Sequence, residues 1–263
     1  MSWWGKVIGG TFGFMLGGPL GALLGASLGH NFDRGMGRLQ HDGGFSAGPD
    51  VERIQSAFFT TTFSMMGYLA KADGVVTRDE IAMAESVMVQ LRLDQAQKKV
   101  AISLFNQGKD SGFPAQQVLE QFRHECHGRR NLLQMFLEIL IATALADGKL
   151  NPVEQRILQQ TAYSIGYSGP EFLEILQRQQ AGAHMQTQRP DSAAALKDAY
   201  KLLGVAGTAT DDEVKKAYRR LMNQHHPDKL VARGLPEEMM ALAHKKTMEI
   251  KEAYELVRKS RAA

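Results

Sequence analysis

The chain has 263 residues, 31 Lys+Arg against 28 Asp+Glu for a net charge of +3, and a single cysteine, Cys126. One thiol excludes an intrachain disulfide framework and fits a reducing compartment. The charge is too mild for general nucleic-acid binding. No glycine-rich phosphate loop, nucleophile elbow or Ser/His/Asp arrangement stands in the sequence, so neither an enzyme nor a bound cofactor is expected.

The first element is apolar. From Val7 to Gly29, 23 positions, there is no charged side chain. As a helix this run would be about 34 Å long, enough to cross a hydrocarbon core of about 30 Å. Trp3 and Trp4 precede it, where an interfacial aromatic anchor belongs. Glycine recurs at every fourth position from Gly5 to Gly29. In water such a segment is a poor helix, because each Gly costs about 1 kcal/mol relative to Ala. In lipid the backbone must satisfy itself, so the helix is enforced. Gly9, Gly13, Gly17, Gly21 and Gly25 then make a flat ridge on which two copies can pack, the extended form of a GxxxG dimer face. Pro19 is a candidate kink. A cleaved signal peptide is disfavoured by the single basic residue before the run, Lys6, and by the lack of an A-x-A site after it. A soluble glycine-rich tail is disfavoured by Phe12, Phe14, Leu16, Leu20, Leu23 and Leu24, while spanning without dimerising stays open. Charge does not orient the span, with Lys6 before it and Arg34 and Arg38 after it.

Residues 31–50 read as a glycine-rich juxtamembrane linker after the 1–30 tip and span. Residues 51–176 read as helices throughout, long enough to bury a core of their own. They hold an internal repeat: Phe63-Ser64-Met65-Met66-Gly67-Tyr68-Leu69-Ala70-Lys71-Ala72-Asp73-Gly74 returns 74 residues later around Phe136-Leu137-Glu138-Ile139 and Ala144-Leu145-Ala146-Asp147-Gly148, and each copy has an acid seven places after its Asp, Glu80 and Glu154. Asp73, Glu80, Asp147 and Glu154 could be hard oxygen ligands for an ion. Local physics offers another account: Gly74 and Gly148 stop helices, Thr77 with Glu80 is a capping box, and Asn151-Pro152 with Glu154 places an N-cap, an N1 proline and an N3 glutamate. Neither loop has the EF-hand spacing, and no metal is expected. His124, Cys126 and His127 lie within one helical turn without a second ligand pair, so a structural metal site is not expected there either. Residues 177–192, rich in glutamine, read as a polar tether.

The last segment, 193–263, is the most specific. Leu196, Tyr200 and Leu203 space as a short amphipathic helix closed by Gly204. Thr210-Asp211-Asp212-Glu213 is a capping box with acids at the positive end of the helix dipole. Val214, Ala217, Tyr218 and Leu221 then form an apolar stripe, with Lys215, Lys216, Arg219 and Arg220 on the other side. Pro227 ends this helix and biases His226 out of the α region, holding the imidazole of His226 and the carboxylate of Asp228 side by side on an exposed turn. After a loop to Leu235, Pro236 can start a third helix whose stripe runs Met240, Ala243, Thr247, Ile250, Tyr254, Val257. A basic face is often merely solvated, and a histidine at a helix end often merely sits near the dipole's negative pole. The surrounding pattern argues for more.

Asp198-Ala199-Tyr200-Lys201-Leu202-Leu203-Gly204-Val205, Lys216-Ala217-Tyr218-Arg219-Arg220-Leu221, His226-Pro227-Asp228-Lys229 and Glu249-Ile250-Lys251-Glu252-Ala253-Tyr254 resemble the J domain of DnaJ-type co-chaperones. That resemblance implies that His226, Pro227, Asp228, Lys215, Lys216, Tyr218, Arg219 and Arg220 dock on the ATPase domain of a DnaK-type chaperone and stimulate hydrolysis. Thr247 departs from the large apolar residue common at its position. The Ala-Asp-Gly repeat of 51–176 resembles the TerB-like helical domain, which implies an all-α fold used for interaction. Membrane segment, TerB-like domain and C-terminal J domain in this order resemble the DjlA-type family of membrane-anchored bacterial co-chaperones. The family resemblance implies a single pass through the inner membrane with the N-terminus outside and the bulk cytoplasmic, a homodimer through the glycine ridge, and recruitment of DnaK in envelope-stress and capsule signalling. No client is indicated. The competing reading is a membrane adaptor or ion-responsive scaffold in which the TerB-like domain carries the function.

Overall fold

Buried hydroxyls in the middle of one long apolar helix mark the axis of the central domain. The structure, a computed structural model, describes residues 16–32, 49–72, 85, 87–89, 91–145, 150–187 and 192–262. Helix α1 runs Gly18–Phe32 and α2 runs Pro49–Ala70. From Ser56 to Gly67 every residue of α2 is buried, so the helix is the axis of the domain rather than an amphipathic face on it. Three of the hydroxyls this buries are satisfied within the helix: Ser56 donates to the Glu52 carbonyl, Thr62 to Phe58 and Ser64 to Thr60, at 2.7–3.0 Å, while Thr60 Oγ1 and Thr61 Oγ1 are buried without a hydrogen-bond partner.

Around α2 lie α3 (Gln95–Gly108), α4 (Ala115–Glu125), α5 (Arg130–Ala144) and α6 (Pro152–Ser164). Phe58, Phe122 and Phe136 meet at centroid distances of 4.8, 5.8 and 6.4 Å, edge to face, and no side-chain atom of the three reaches solvent. Arg53 donates twice to the carboxylate of Glu125, both at 2.7 Å, fastening α2 to the end of α4. Among the described residues there is no strand, as the helical reading of the sequence required.

Helix α7 (Gly169–Thr187) corrects the sequence reading. Residues 177–187, expected as a polar tether, continue one helix out of the central domain, with Ala181 buried in a second core. Gln, Arg, Ala and Met are good helix formers, and no proline stands between Gln177 and Thr187. Gln179 is buried, and its side-chain oxygen accepts from Lys246 Nζ at 2.9 Å; Lys246 also donates to Glu249 at 3.1 Å.

The second core is the expected helical hairpin. Helices α8 (Ala193–Leu203), α9 (Asp211–His225), the short α10 (Pro227–Ala232) and α11 (Met240–Ala262) gather Ala199, Leu202, Leu203, Val214, Leu221, Ile250, Ala253 and Val257 around α7's end. The third helix starts later than Pro236 would place it, since one 3₁₀ turn, Glu237–Met239, intervenes. Thr247 is buried and its hydroxyl donates to the His244 carbonyl at 2.8 Å, so its polarity is satisfied locally.

Helix α1 covers the C-terminal part of the expected span. The backbone is broken at Gly17 and Gly18, both left-handed with φ of +57° and +55°. Pro19 sits in the first turn of α1 and starts the helix, where the sequence left room for a kink. Leu16, Leu20, Leu23 and Leu24 are buried against the central domain. Gln121 spans the break: its amide donates to the carbonyls of Leu16 and Gly17, and its oxygen accepts from Leu20 N, each at 3.0 Å. Among the described residues no helix is long and apolar enough to cross a membrane.

Candidate functional site

The site is built from the N-terminus of α9. Thr210 N donates to Glu213 Oε2 at 2.7 Å and Glu213 N donates to the Thr210 hydroxyl at 3.3 Å, closing the capping box. The Thr210 backbone N–H, and the Thr210 hydroxyl that also donates to Glu213 Oε2 at 3.0 Å, hold the Glu213 carboxyl below the usual carboxylate range. Arg261, from the last turn of α11, donates to Asp211 at 2.6 Å, to the Ala209 carbonyl at 2.7 Å and to the Tyr200 hydroxyl at 2.9 Å, so the start of α9 is tied to the end of the hairpin.

With its start fixed, α9 presents two faces. Val214, Ala217 and Leu221 are buried, while Lys215, Lys216, Arg219 and Arg220 are exposed. Tyr218 differs from the four cations grouped with it: its ring is half-buried and stacks on Tyr254 at 4.2 Å and 15°. It braces α9 on α11 from the edge of the basic face.

At the end of α9, His226 is extended, with φ −61° and ψ 122°, and Pro227 begins α10, as the proline argument required. The His226 side chain is 45% exposed and that of Asp228 83% exposed. Their His226 Nδ1–Asp228 Oδ2 separation is 4.0 Å, too long for a hydrogen bond, and Nδ1 is a buried polar atom without a hydrogen-bond partner. Pro227 itself is buried. One carboxylate, one imidazole and four cations are therefore left uncovered by the hairpin's own packing.

One residue earlier the environment inverts. His225 is buried, with Nδ1 2.9 Å from the Leu221 carbonyl and Nε2 2.9 and 3.0 Å from the two carboxylate oxygens of Glu138 on α5. Both ring nitrogens face acceptors, the arrangement in which a protonated imidazole donates on both sides. Gln134 donates to Glu138 at 2.7 Å and accepts from Gln224 at 2.6 Å, extending the contact along α5. Burial pushes the Glu138 carboxyl up, but His225, with Lys246 and Gln134, outweighs it and holds it at about 2.

This pair was not among the sequence candidates, although both halves leave a trace. His225 continues the α9 stripe four places after Leu221, and Glu138 interrupts the apolar run of α5. Each alone reads as an exception; only the fold brings them together.

Other candidates fall elsewhere. Gly9 and Gly13 lie outside the described residues; Gly17 is in the break before α1, Gly21 is buried on α1 and Gly25 has no neighbouring atom where a side chain would begin. Asp73, Glu80 and Asp147 lie outside the described residues, whereas Glu154 accepts from Asn151 N at 3.0 Å and caps α6. Cys126 is buried, and burial pushes its thiol well up, away from ligand or nucleophile chemistry. Among the described residues no group of three or more His, Cys, Asp or Glu side chains could hold a metal ion.

Three family models match the sequence: the co-chaperone DjlA transmembrane domain over residues 1–39, the tellurite resistance protein TerB over 60–177 and the DnaJ domain over 198–262. Curated relatives match nearly end to end. The co-chaperone protein DjlA of Coxiella burnetii is 44% identical, covering 100% of this chain and 99% of its own. Those of Vibrio cholerae and Photobacterium profundum are 43% and 42% identical, covering 99% and 98% of this chain and 99% of theirs. No solved structure matches.

Proposed function

The chain belongs to the DjlA family of membrane-anchored, DnaJ-like co-chaperones, and from that premise we propose that it recruits a DnaK-type chaperone to the membrane and stimulates its ATPase through His226 and Asp228. The observation that carries this reading is the separation of faces at the end of α9. His226 and Asp228 keep exposed side chains, as do Lys215, Lys216, Arg219 and Arg220 of the helix that leads to them, while Val214, Ala217 and Leu221 are buried in the packing surface. The four cations steer encounter with an acidic surface, and the motif acts once the two proteins are docked. The test is single-turnover ATP hydrolysis by a DnaK-type chaperone with the full chain in lipid nanodiscs. Acceleration at substoichiometric to equimolar chain supports the reading, and an unchanged rate at saturating chain overturns it.

Steering has its own signature. The double reversal Arg219→Glu and Arg220→Glu should weaken chaperone binding by at least tenfold at low salt and flatten its dependence on ionic strength, because exposed charges act within a Debye length of about 10 Å at 0.1 M salt. Surface plasmon resonance over a salt series measures it; an affinity and salt slope equal to those of the unaltered chain would remove the cations from the docking step.

For the anchor, we infer a single pass with the N-terminus outside and α2–α11 in the cytoplasm, where the chaperone and ATP are, in the service of envelope-stress and capsule signalling. A hydrocarbon core of about 30 Å needs about 20 helical residues. Insertion of the 7–29 run therefore takes α1 off the central domain and brings Gly9 to Gly25 into one helix. Two such helices pack through the ridge as a homodimer. Gly13→Leu with Gly21→Leu should abolish the dimer seen by cross-linking in nanodiscs, since Leu at both positions holds the backbones apart; undiminished cross-linking would place the dimer contact elsewhere.

A further inference from the structure

The hairpin is not simply tethered to the central domain: the residues on either side of its chaperone-facing motif are built into that domain. His225 precedes the motif and pairs with Glu138, and Gln224 bonds Gln134 and accepts from Asn131 Nδ2 through its backbone carbonyl at 3.4 Å. Pro227 is buried, and Leu230 and Leu235 belong to the same buried cluster as Phe58 and Phe136. Gly234 adopts φ +107°, and a Cβ there would meet Ile54 of α2 at 2.6 Å, so the loop lies directly on the central helix. Further along, Gln97 of α3 donates to Glu238 at 3.0 Å.

The contact is selective. It covers His225, Pro227, Leu230 and Leu235 and leaves His226 and Asp228, with the basic face of α9, exposed. A segment held on one side by a hydrogen-bonded buried ion pair and on the other by two leucines has its backbone fixed between them. That lowers the conformational freedom the motif must lose when a partner binds. We propose that Glu138 is a positioning residue for chaperone stimulation, acting through His225 to hold His226-Pro227-Asp228 presented on the surface of the central domain. The TerB-like domain then serves as the second half of the docking site rather than as a separate module.

The proposal rests on the stimulation argued above, and its failure can be told apart from that one. If the unaltered chain does not accelerate hydrolysis, the stimulation reading fails. If the unaltered chain accelerates it and the variants below behave contrary to expectation, only the positioning role fails. In full chain in nanodiscs, Glu138→Ala should lower the maximal single-turnover rate at least tenfold while changing the half-saturating chain concentration less than threefold. Steering charges set the latter and are untouched by the substitution. Glu138→Gln keeps an oxygen acceptor for His225 and should retain more than half of the maximal rate. A maximal rate that is unchanged or increased in Glu138→Ala overturns the proposal.

Because Glu138→Ala could also loosen the fold, a second measurement fixes the docked state instead of breaking it. Asn131 and Gln224 are half-exposed and in contact, and Cys126 is buried, so Asn131→Cys with Gln224→Cys supplies the reactive pair. Joining the two with a short cleavable thiol linker should leave the maximal rate within twofold of that after cleavage. A joined chain at least tenfold less active than the cleaved one would show that docking hides the motif, and would overturn the proposal.

Discussion

A chain carrying His226→Gln should fold and melt as the unaltered chain does and fail to accelerate chaperone ATP hydrolysis. The side chain is half exposed, it makes no hydrogen bond within the protein, and its extended backbone is imposed by Pro227 rather than by the imidazole. Glutamine takes the same φ and ψ, so the change in stability should lie within about 0.5 kcal/mol, as for surface substitutions that break no cap, pair or core contact. Loss of a dominant contact in a docking surface costs about 2 kcal/mol or more, which is at least about a 30-fold fall in stimulation. Circular dichroism melts and single-turnover hydrolysis measure the two halves. The neighbouring substitution makes the comparison sharp. His225→Gln would leave Glu138 buried without its charged partner, and removing one member of such a pair costs about 3–5 kcal/mol. Two adjacent histidines should thus give opposite phenotypes, one silent in stability and one not. A lowered melting temperature for His226→Gln, or stimulation retained within threefold, would remove His226 from the chaperone-facing side.

Much of this was legible in the sequence because the signals were local. The capping boxes at Thr210 and Asn151 form as read, since a hydroxyl or amide oxygen and a glutamate three places on need nothing beyond one helical turn. The inner positions of the α9 and α11 stripes bury as read, with Tyr218, Met240 and Tyr254 half-buried at their edges, and α9 stops before Pro227 as read. What could not be read were the contacts between residues far apart in the chain. Gln179 looked like solvent-facing polarity until Lys246, 67 positions later, gave it a buried partner. Glu138 and His225 are 87 positions apart, and each alone looked like a blemish in an apolar pattern. Buried polar groups are satisfied in pairs, so periodicity finds at most one member and never the match. The glycine repeat shows the converse limit. Its four-residue period reads as one continuous ridge, yet two left-handed glycines break the helix at Gly17 and Gly18 and the leucines beside them pack on the central domain.

The second large effect concerns two glycines at a helix crossing. Where α2 crosses α3, the helices touch backbone to backbone through Gly67 and Gly108. A Cβ at Gly67 would overlap the Phe105 carbonyl oxygen and lie 2.8 Å from its carbon. One at Gly108 would overlap the Ser64 carbonyl oxygen, 2.8 Å from its carbon and 3.0 Å from Tyr68 N. Two effects of Gly108→Ala oppose each other. Alanine favours a helix interior by about 1 kcal/mol, and less at the last residue of α3, so on propensity alone the substitution should stabilise. Against that, no rotamer change relieves a clash with backbone, so the helices must part along their whole contact. Their separation opens space around Leu104, Ala101 and Phe63, all buried at the domain axis. Overpacking of this kind costs 1–3 kcal/mol in ordinary cores and more where only backbone can move. The packing loss should therefore win, with a net destabilisation of about 3 kcal/mol and a fall in melting temperature of about 6–12 °C for a domain of this size. Gly112→Ala is the matched control: its Cβ would meet only the Asp110 side chain, at 3.8 Å, and its melting temperature should stay within about a degree or two. If Gly108→Ala instead melts at or above the unaltered chain, helix propensity has outweighed packing and α2 and α3 cannot cross this closely. The loss should also reach the chaperone-facing motif, because Ile54 on the same α2 is what Gly234 rests against. A domain whose axis has shifted holds that loop less well, so stimulation should fall in Gly108→Ala and stay level in Gly112→Ala.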